Sequence, residues 1–130
     1  MSTQESRAIT IAKSHVEAWT NHDFEAARSA LAPDVHVSAT TVDPGMPVTD
    51  LTGVEDYMRG LQAFAQGVVP GSAEVVDSVG DERHALLLVN VRAKFGPDAP
   101  EVSLPGARLY LLDENSKIKD EQVIFCALQD

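Results

Sequence analysis

The stretch Ala18-Trp19-Thr20-Asn21-His22-Asp23-Phe24-Glu25-Ala26-Ala27-Arg28-Ser29-Ala30-Leu31-Ala32-Pro33-Asp34-Val35-His36-Val37 reads as a helix end, a break, a short second helix and the entry to a strand. Asp23 caps the new helix, because its carboxylate can accept from backbone N–H groups two or three residues on. Phe24, Ala27 and Leu31 then share one apolar stripe at helical spacing. Pro33 stops the helix, since the residue before a proline is pushed out of the helical region. From Val35 the chain turns β-rich.

Upstream, Ser2-Thr3-Gln4-Glu5 matches the capping-box pattern, so a helix is expected from about Thr3 to Trp19 or Thr20. Ile9, Ala12, Val16 and Trp19 fall in a narrow arc of that helix with Ala8 beside them, and His15 lies at the edge of the arc. Downstream, a strand spans Val35–Val42, and Asp43-Pro44-Gly45-Met46-Pro47 is a loop, because two prolines and a glycine do not fit a central ladder. Thr52-Gly53-Val54-Glu55 is a second capping box, opening a helix to about Gln66 with the stripe Val54, Tyr57, Met58, Leu61, Phe64 and Ala65. Four strands follow, about Ala73–Val79, Arg83–Phe95, Val102–Leu112 and Ile118–Leu128, separated by turn-rich segments that pair them as antiparallel neighbours. The order helix, helix, strand, helix, four strands implies an α+β fold with the helices packed on one face of an antiparallel sheet.

The 130 residues suit one domain over 1–130, with no internal repeat or linker. A formal net charge of −10, without a cluster of cations, argues against nucleic acid and anionic membrane surfaces as partners. No apolar run reaches the roughly 18 residues of a membrane span, and Cys126, the single cysteine, has no internal partner; a cytoplasmic setting is expected. The four histidines His15, His22, His36 and His84 are scattered. There is no metal-ligand spacing, Walker loop, dinucleotide fingerprint or nucleophile elbow. Neither a metal nor a cofactor is therefore expected, and chemistry would rest on acids, bases and hydrogen bonds.

Leu86-Leu87-Leu88-Val89 is apolar at consecutive positions, so both faces of that strand are apolar. A sheet with one wet face alternates instead. Leu109, Leu111, Ile124 and Cys126 add to the face the helices leave open, and a second copy of the chain is the simplest cover. A homodimer through the sheet is expected.

The amphipathic helix ending Ala18-Trp19, the Asn21-His22-Asp23 break, and Leu31-Ala32-Pro33-Asp34-Val35-His36-Val37 entering a strand resemble the opening of SnoaL-like and ketosteroid-isomerase-like proteins of the nuclear transport factor 2-like superfamily. Gly53-Val54-Glu55-Asp56-Tyr57-Met58 and Ser116-Lys117-Ile118 fit as well, so the resemblance covers nearly the whole chain. It implies that three helices close a strongly bent sheet into a cone-shaped (cystatin-like) barrel with a blind pocket. Laid on the isomerase pattern, His15 falls where the family keeps its oxyanion tyrosine, and Arg108 where it keeps a protonated aspartic acid. The base position falls on Ala39, or on Asp43 if an insertion is allowed. The isomerase set is therefore not present as such.

Strand alternation puts Tyr110 on the side of Arg108, and Glu121, Val123 and Phe125 on one face of the last strand. His15, Asp43, Arg108 and Glu121 are the candidate acid–base residues. Trp19, Tyr57, Leu61, Tyr110, Val123 and Phe125 are the candidate walls. A guanidinium can hold a carboxylate, enolate or carbonyl oxygen, and a neighbouring carboxylate can abstract a proton. Each residue has a structural reading too: Arg108 with Glu121 as a buried ion pair, His15 as a hydrogen-bonded residue at the core boundary, Asp43 as a turn residue, and the aromatics as core. Two functions follow from the resemblance. One is a cofactor-free isomerase, cyclase or hydrolase acting on a small, largely apolar molecule. The other is a non-catalytic protein binding a hydrophobic or weakly acidic molecule, with a cone plugged by its own side chains as a third possibility. An epoxide-hydrolase reaction requires an Asp-Arg-Asp set on facing strands, and no Arg-x-Asp arrangement surrounds Arg92 or Arg108.

Overall fold

A computed structural model describes residues 6–41, 49–94 and 96–125. The chain runs α1 (Arg7–Thr20), α2 (Phe24–Ser29), β1 (Leu31–Thr41), β2 (Thr49–Thr52), α3 (Val54–Ala65), β3 (Glu74–Gly80), β4 (His84–Ala93), β5 (Val102–Leu112) and β6 (Ile118–Phe125). The strands form one open, curved sheet in the order β2-β1-β6-β5-β4-β3. The helices cover one face of it, α1 over β3, β4 and β5, and α3 over β1 and β2. This is the α+β arrangement that the order of elements implied, in the cone form that the resemblance implied.

Ser6, in extended conformation, caps α1 by accepting from the Ile9 N–H. The helix thus opens at Arg7 rather than Thr3; the box at Ser2–Glu5 lies outside the described residues. Asp23 caps α2 as its sequence suggested, its carboxylate accepting from the Ala26 N–H at 3.2 Å. Pro33 does not end α2. The helix stops at Ser29, and Pro33 lies in the irregular start of β1, between the paired positions Leu31 and His36, where a missing N–H breaks no ladder bond. His22 takes a left-handed conformation in the break, stacks on Phe24 and donates from Nε2 to the Ala65 carbonyl at 2.8 Å. One imidazole thereby joins the α1–α2 break to the end of α3.

Three further expectations are corrected. Thr52 is not the α3 cap: it ends β2, and Gly53 caps the helix at φ 98°, a backbone region that favours glycine. The strand β2 itself, antiparallel to β1, was not apparent in the sequence. Finally, β1 runs parallel to β6, the one departure from antiparallel pairing, because the two are separated by the whole of α3 to β5.

Along β4, side chains alternate strictly in burial: Ala85, Leu87, Val89, Val91 and Ala93 face the helices, whereas Leu86 and Leu88 face outward and remain exposed. Cross-strand register sets Val79, Leu86 and Leu109 in one row, and Leu88, Ala107 and Ile124 in another. With Val76 they form the apolar outer face anticipated from the Leu86–Val89 run. Among the described residues no helix is long and apolar enough to cross a membrane.

Candidate functional site

Strands β5 and β6 bring the polar core together. Their register places Arg108 opposite Val123 and Tyr110 opposite Glu121, so all four side chains face the helices. Arg108 donates from Nη1 to Glu121 Oε2 at 3.2 Å, and both groups are almost wholly buried. The guanidinium carbon also lies 5.0 Å from the centre of the Trp19 ring, a cation–π arrangement. Glu121 Oε1 is bonded by the Tyr57 hydroxyl from α3. On the other side of that hydroxyl, His15 Nε2 lies at 3.0 Å, while His15 Nδ1 donates to the Ala27 carbonyl at 3.0 Å. Four elements thus feed one chain of contacts: α1 (His15), α3 (Tyr57), β6 (Glu121) and β5 (Arg108).

Burial governs the protonation of this cluster. It lowers the His15 pKa below the usual imidazole range, against the pull of Glu121 and the Ala27 carbonyl, with Arg108 adding to the lowering. Burial also pushes the Tyr57 and Tyr110 phenols well above their ordinary value, with the Glu121 charge adding to it, so both stay protonated. Desolvation works against the Arg108 charge, but Tyr110, Glu121 and Tyr57 together more than offset it, and the guanidinium stays charged. Among the described residues, the buried Trp19 Nε1–H has no hydrogen-bond partner, and the Tyr110 O–H faces Glu121 and Arg108 without a bond of good geometry.

Beside the cluster is a cavity of about 200 Å³. Arg108, Glu121 and Tyr57 supply its polar wall; Val37, Ala39 and Val123 from the sheet, Leu51 from β2, and Leu61 and Phe64 from α3 supply the apolar remainder. A volume of this order is below the roughly 300–1,000 Å³ of drug-sized sites and suits a small, mostly apolar molecule. Gly60 of α3 also lines it, and a Cβ there would come within 2.9 Å of Leu51 Cδ1, so glycine lets β2 lie close against the helix.

The residues singled out in the sequence sort clearly. Arg108, Glu121, Tyr57, Leu61 and Val123 line the cavity. His15 is not at the edge of the core: it is 1% exposed and reaches the site through Tyr57. The arc of the α1 wheel misplaced it because α2 folds back over that side of the helix and buries it under Ala27. Trp19 and Tyr110 are fully buried and back the cluster rather than line the cavity. Asp43 and the Phe125 side chain lie outside the described residues. Thr49 and Leu51, unforeseen as walls, come from the strand the sequence did not reveal; Val37 and Ala39, also not singled out as walls, alternate along β1 with His36 and Ser38. His36 itself lies on the opposite face, between Asp50 and Asp120. Among the described residues no three His, Cys, Asp or Glu side chains cluster as metal ligands.

The SnoaL-like domain family matches residues 12–121, a span that takes in His15, Tyr57, Arg108 and Glu121. The chain belongs to the SnoaL-like domain family. Its fold is shared with a protein from Kribbella flavida (21% identity, 93% of this chain and 88% of that one, TM-score 0.74). It is similarly close to an M. tuberculosis LEH-like epoxide hydrolase (18% identity, 92% and 82%, TM-score 0.70). A Mycobacterium tuberculosis protein in complex with estradiol-17β-hemisuccinate also shares it (13% identity, 92% and 93%, TM-score 0.75). At these identities the likeness is one of fold. No curated protein sequence matches the chain.

Proposed function

We propose that this SnoaL-like protein is a cofactor-free acid–base enzyme acting on a small, largely apolar molecule held in the cone, by isomerisation, cyclisation or hydrolysis. The observation that carries the reading is a buried Arg108–Glu121 pair opening onto a mostly apolar cavity. Glu121 is the base, and Arg108 holds the oxygen on which negative charge develops; the burial of both groups strengthens these interactions. The solved relatives, one an epoxide hydrolase and one holding a steroid ester, support a small-molecule role.

Their mutual neutralisation favours a second reading, in which Arg108 and Glu121 orient a carbonyl-bearing or weakly acidic ligand without turnover. Proton exchange separates the two. Small cyclic ketones and enones are incubated with the protein in D₂O and followed by ¹H NMR. Deuterium entering next to the carbonyl with wild type, and lost in Glu121→Gln, supports the enzyme. Ligand-induced shifts at Arg108 without exchange support the binder. We also propose that a second copy of the chain covers the outer face formed by Leu86, Leu88, Leu109 and Ile124, giving a homodimer, and that the protein works in the cytoplasm.

A further inference from the structure

The donors and acceptors along the buried chain from Ala27 to Glu121 do not pair off with His15 neutral and Glu121 ionised. The Ala27 carbonyl can only accept, so His15 Nδ1 carries a proton. Two contacts remain, His15 Nε2 to the Tyr57 oxygen and the Tyr57 oxygen to Glu121 Oε1. Each needs one proton, and the Tyr57 phenol owns one. With neutral His15 and ionised Glu121, one contact would set two lone pairs against each other between buried groups, leaving an acceptor in that chain without a donor. The geometry is satisfied only when the chain holds one proton more.

We propose that His15, Tyr57 and Glu121 share that additional proton as a two-position relay, which makes His15 and Tyr57 positioning residues for the chemistry of Glu121. In one position His15 is an imidazolium donating to Tyr57, and Tyr57 donates to the Glu121 carboxylate. In the other, the imidazole proton has passed to the Tyr57 oxygen while the phenol proton has passed to Glu121 Oε1. His15 is then neutral, Tyr57 donates to it, and the Glu121 carboxylic acid donates to Tyr57. Two protons move, no electrons are lost or gained, and Glu121 changes from base to acid without exchange with solvent. The charged and titratable groups facing His15 set the balance. Arg108 and burial favour neutral His15, whereas Glu121 and the Ala27 carbonyl favour the imidazolium; Tyr110, edge-on at 6.2 Å, stays a neutral phenol. His15 also borders a groove between α1, α2 and the turn from β5 to β6, lined by Ser14, Ser29, Ser116 and Lys117.

The catalytic meaning of the relay rests on the acid–base reading of the cavity; the shared proton does not, and is tested without ligand. The full chain is labelled with ¹⁵N-histidine and ¹³C-glutamate, and His15 is assigned by its absence in His15→Gln. Near pH 7, long-range ¹H–¹⁵N spectra are expected to show His15 Nδ1 protonated and Nε2 away from the pyridine-like extreme. On raising the pH, His15 Nε2 and the Glu121 carboxyl carbon should titrate with one common midpoint. Tyr57→Phe should split that midpoint in two and leave His15 as the neutral Nδ1–H form. A pyridine-like Nε2 beside an ionised Glu121 at pH 6–8, or independent midpoints in wild type, would overturn the relay even if Tyr57→Phe does not fold. A shared midpoint together with an inert Glu121 in the deuterium assay keeps the relay and removes only the catalytic reading.

Discussion

Arg108→Met should destabilise the fold more than any surface substitution, and the structure sets the scale. Arg108 Nη1 lies 3.2 Å from Glu121 Oε2, with the side chains only 6% and 2% exposed. At an effective dielectric of about 20, two unit charges at that separation attract by roughly 5 kcal/mol. Removing one partner forfeits this and leaves a buried carboxylate held only by the Tyr57 hydroxyl and without its cation, a change that typically costs about 3–5 kcal/mol. For a domain between the sizes usually tabulated, each kcal/mol moves Tm by about 3–4 °C, so the midpoint should fall by roughly 10–20 °C. Methionine keeps much of the volume beside Trp19, which separates the charge effect from a cavity effect. The double variant R108M/E121M removes both charges, and replacement of a buried pair by apolar groups is often neutral or stabilising. It should recover most of what Arg108→Met loses. Urea unfolding of the wild type, the two single variants and the double gives the coupling energy directly. A loss below about 1 kcal/mol for Arg108→Met, the range of exposed pairs, would show that the pair is solvated and would refute the reasoning. A double variant no better than the single would place the loss in packing instead.

Two other expectations follow from the sheet. The His36 pKa is raised by hydrogen bonds to Asp120 and then Asp50, which hold the imidazolium between β1, β2 and β6. A group whose folded value lies above its unfolded value of 6.5 stabilises fully below that pH, and the effect fades as pH rises through the folded value. The stability difference between wild type and His36→Gln should therefore be larger at pH 5.5 than at pH 8.5, by denaturant titration; a difference flat with pH would remove the linkage. On the outer face, Leu88→Asp, at 44% exposure, should leave the monomer folded but split the homodimer in light scattering at micromolar concentration. A wild-type monomer under those conditions would end the dimer proposal.

The fold was legible because its signals are local. Asp23 at the start of α2, the stripe from Val54 to Ala65 in α3, and the two-faced run Leu86–Val89 in β4 each carry their own periodicity. What the sequence hid depends on chain distant in sequence. The strand β2 has four residues and no apolar alternation, and exists because β1 offers it a ladder. Pro33 reads as a helix stop, yet α2 has already closed at Ser29 and the proline is absorbed where β1 and β6 lose register. The site divides the same way. Tyr110 beside Glu121 followed from alternation and one hairpin, and the structure pairs them. The link from His15 through Tyr57 to Glu121 spans three elements and 106 positions of chain (121 − 15), and no spacing rule reaches that far.

That distance bears on why such a cluster persists in a core that apolar residues fill at similar stability. Each member is fixed by a different element: the Ala27 carbonyl at the end of α2 sets the His15 ring, α3 sets Tyr57, and the β5–β6 register sets Arg108 against Glu121. A shift of any one element by a single residue would leave a buried donor or acceptor unpaired, at about 1–3 kcal/mol each. The cluster therefore selects one docking of the helices on the sheet, and it does so next to the cavity, where Arg108 and Glu121 form part of the wall. Stability alone does not call for the charged pair, since the R108M/E121M core is expected to keep most of the wild-type stability. Retaining four polar side chains there is the pattern expected when a site, rather than the fold, requires them.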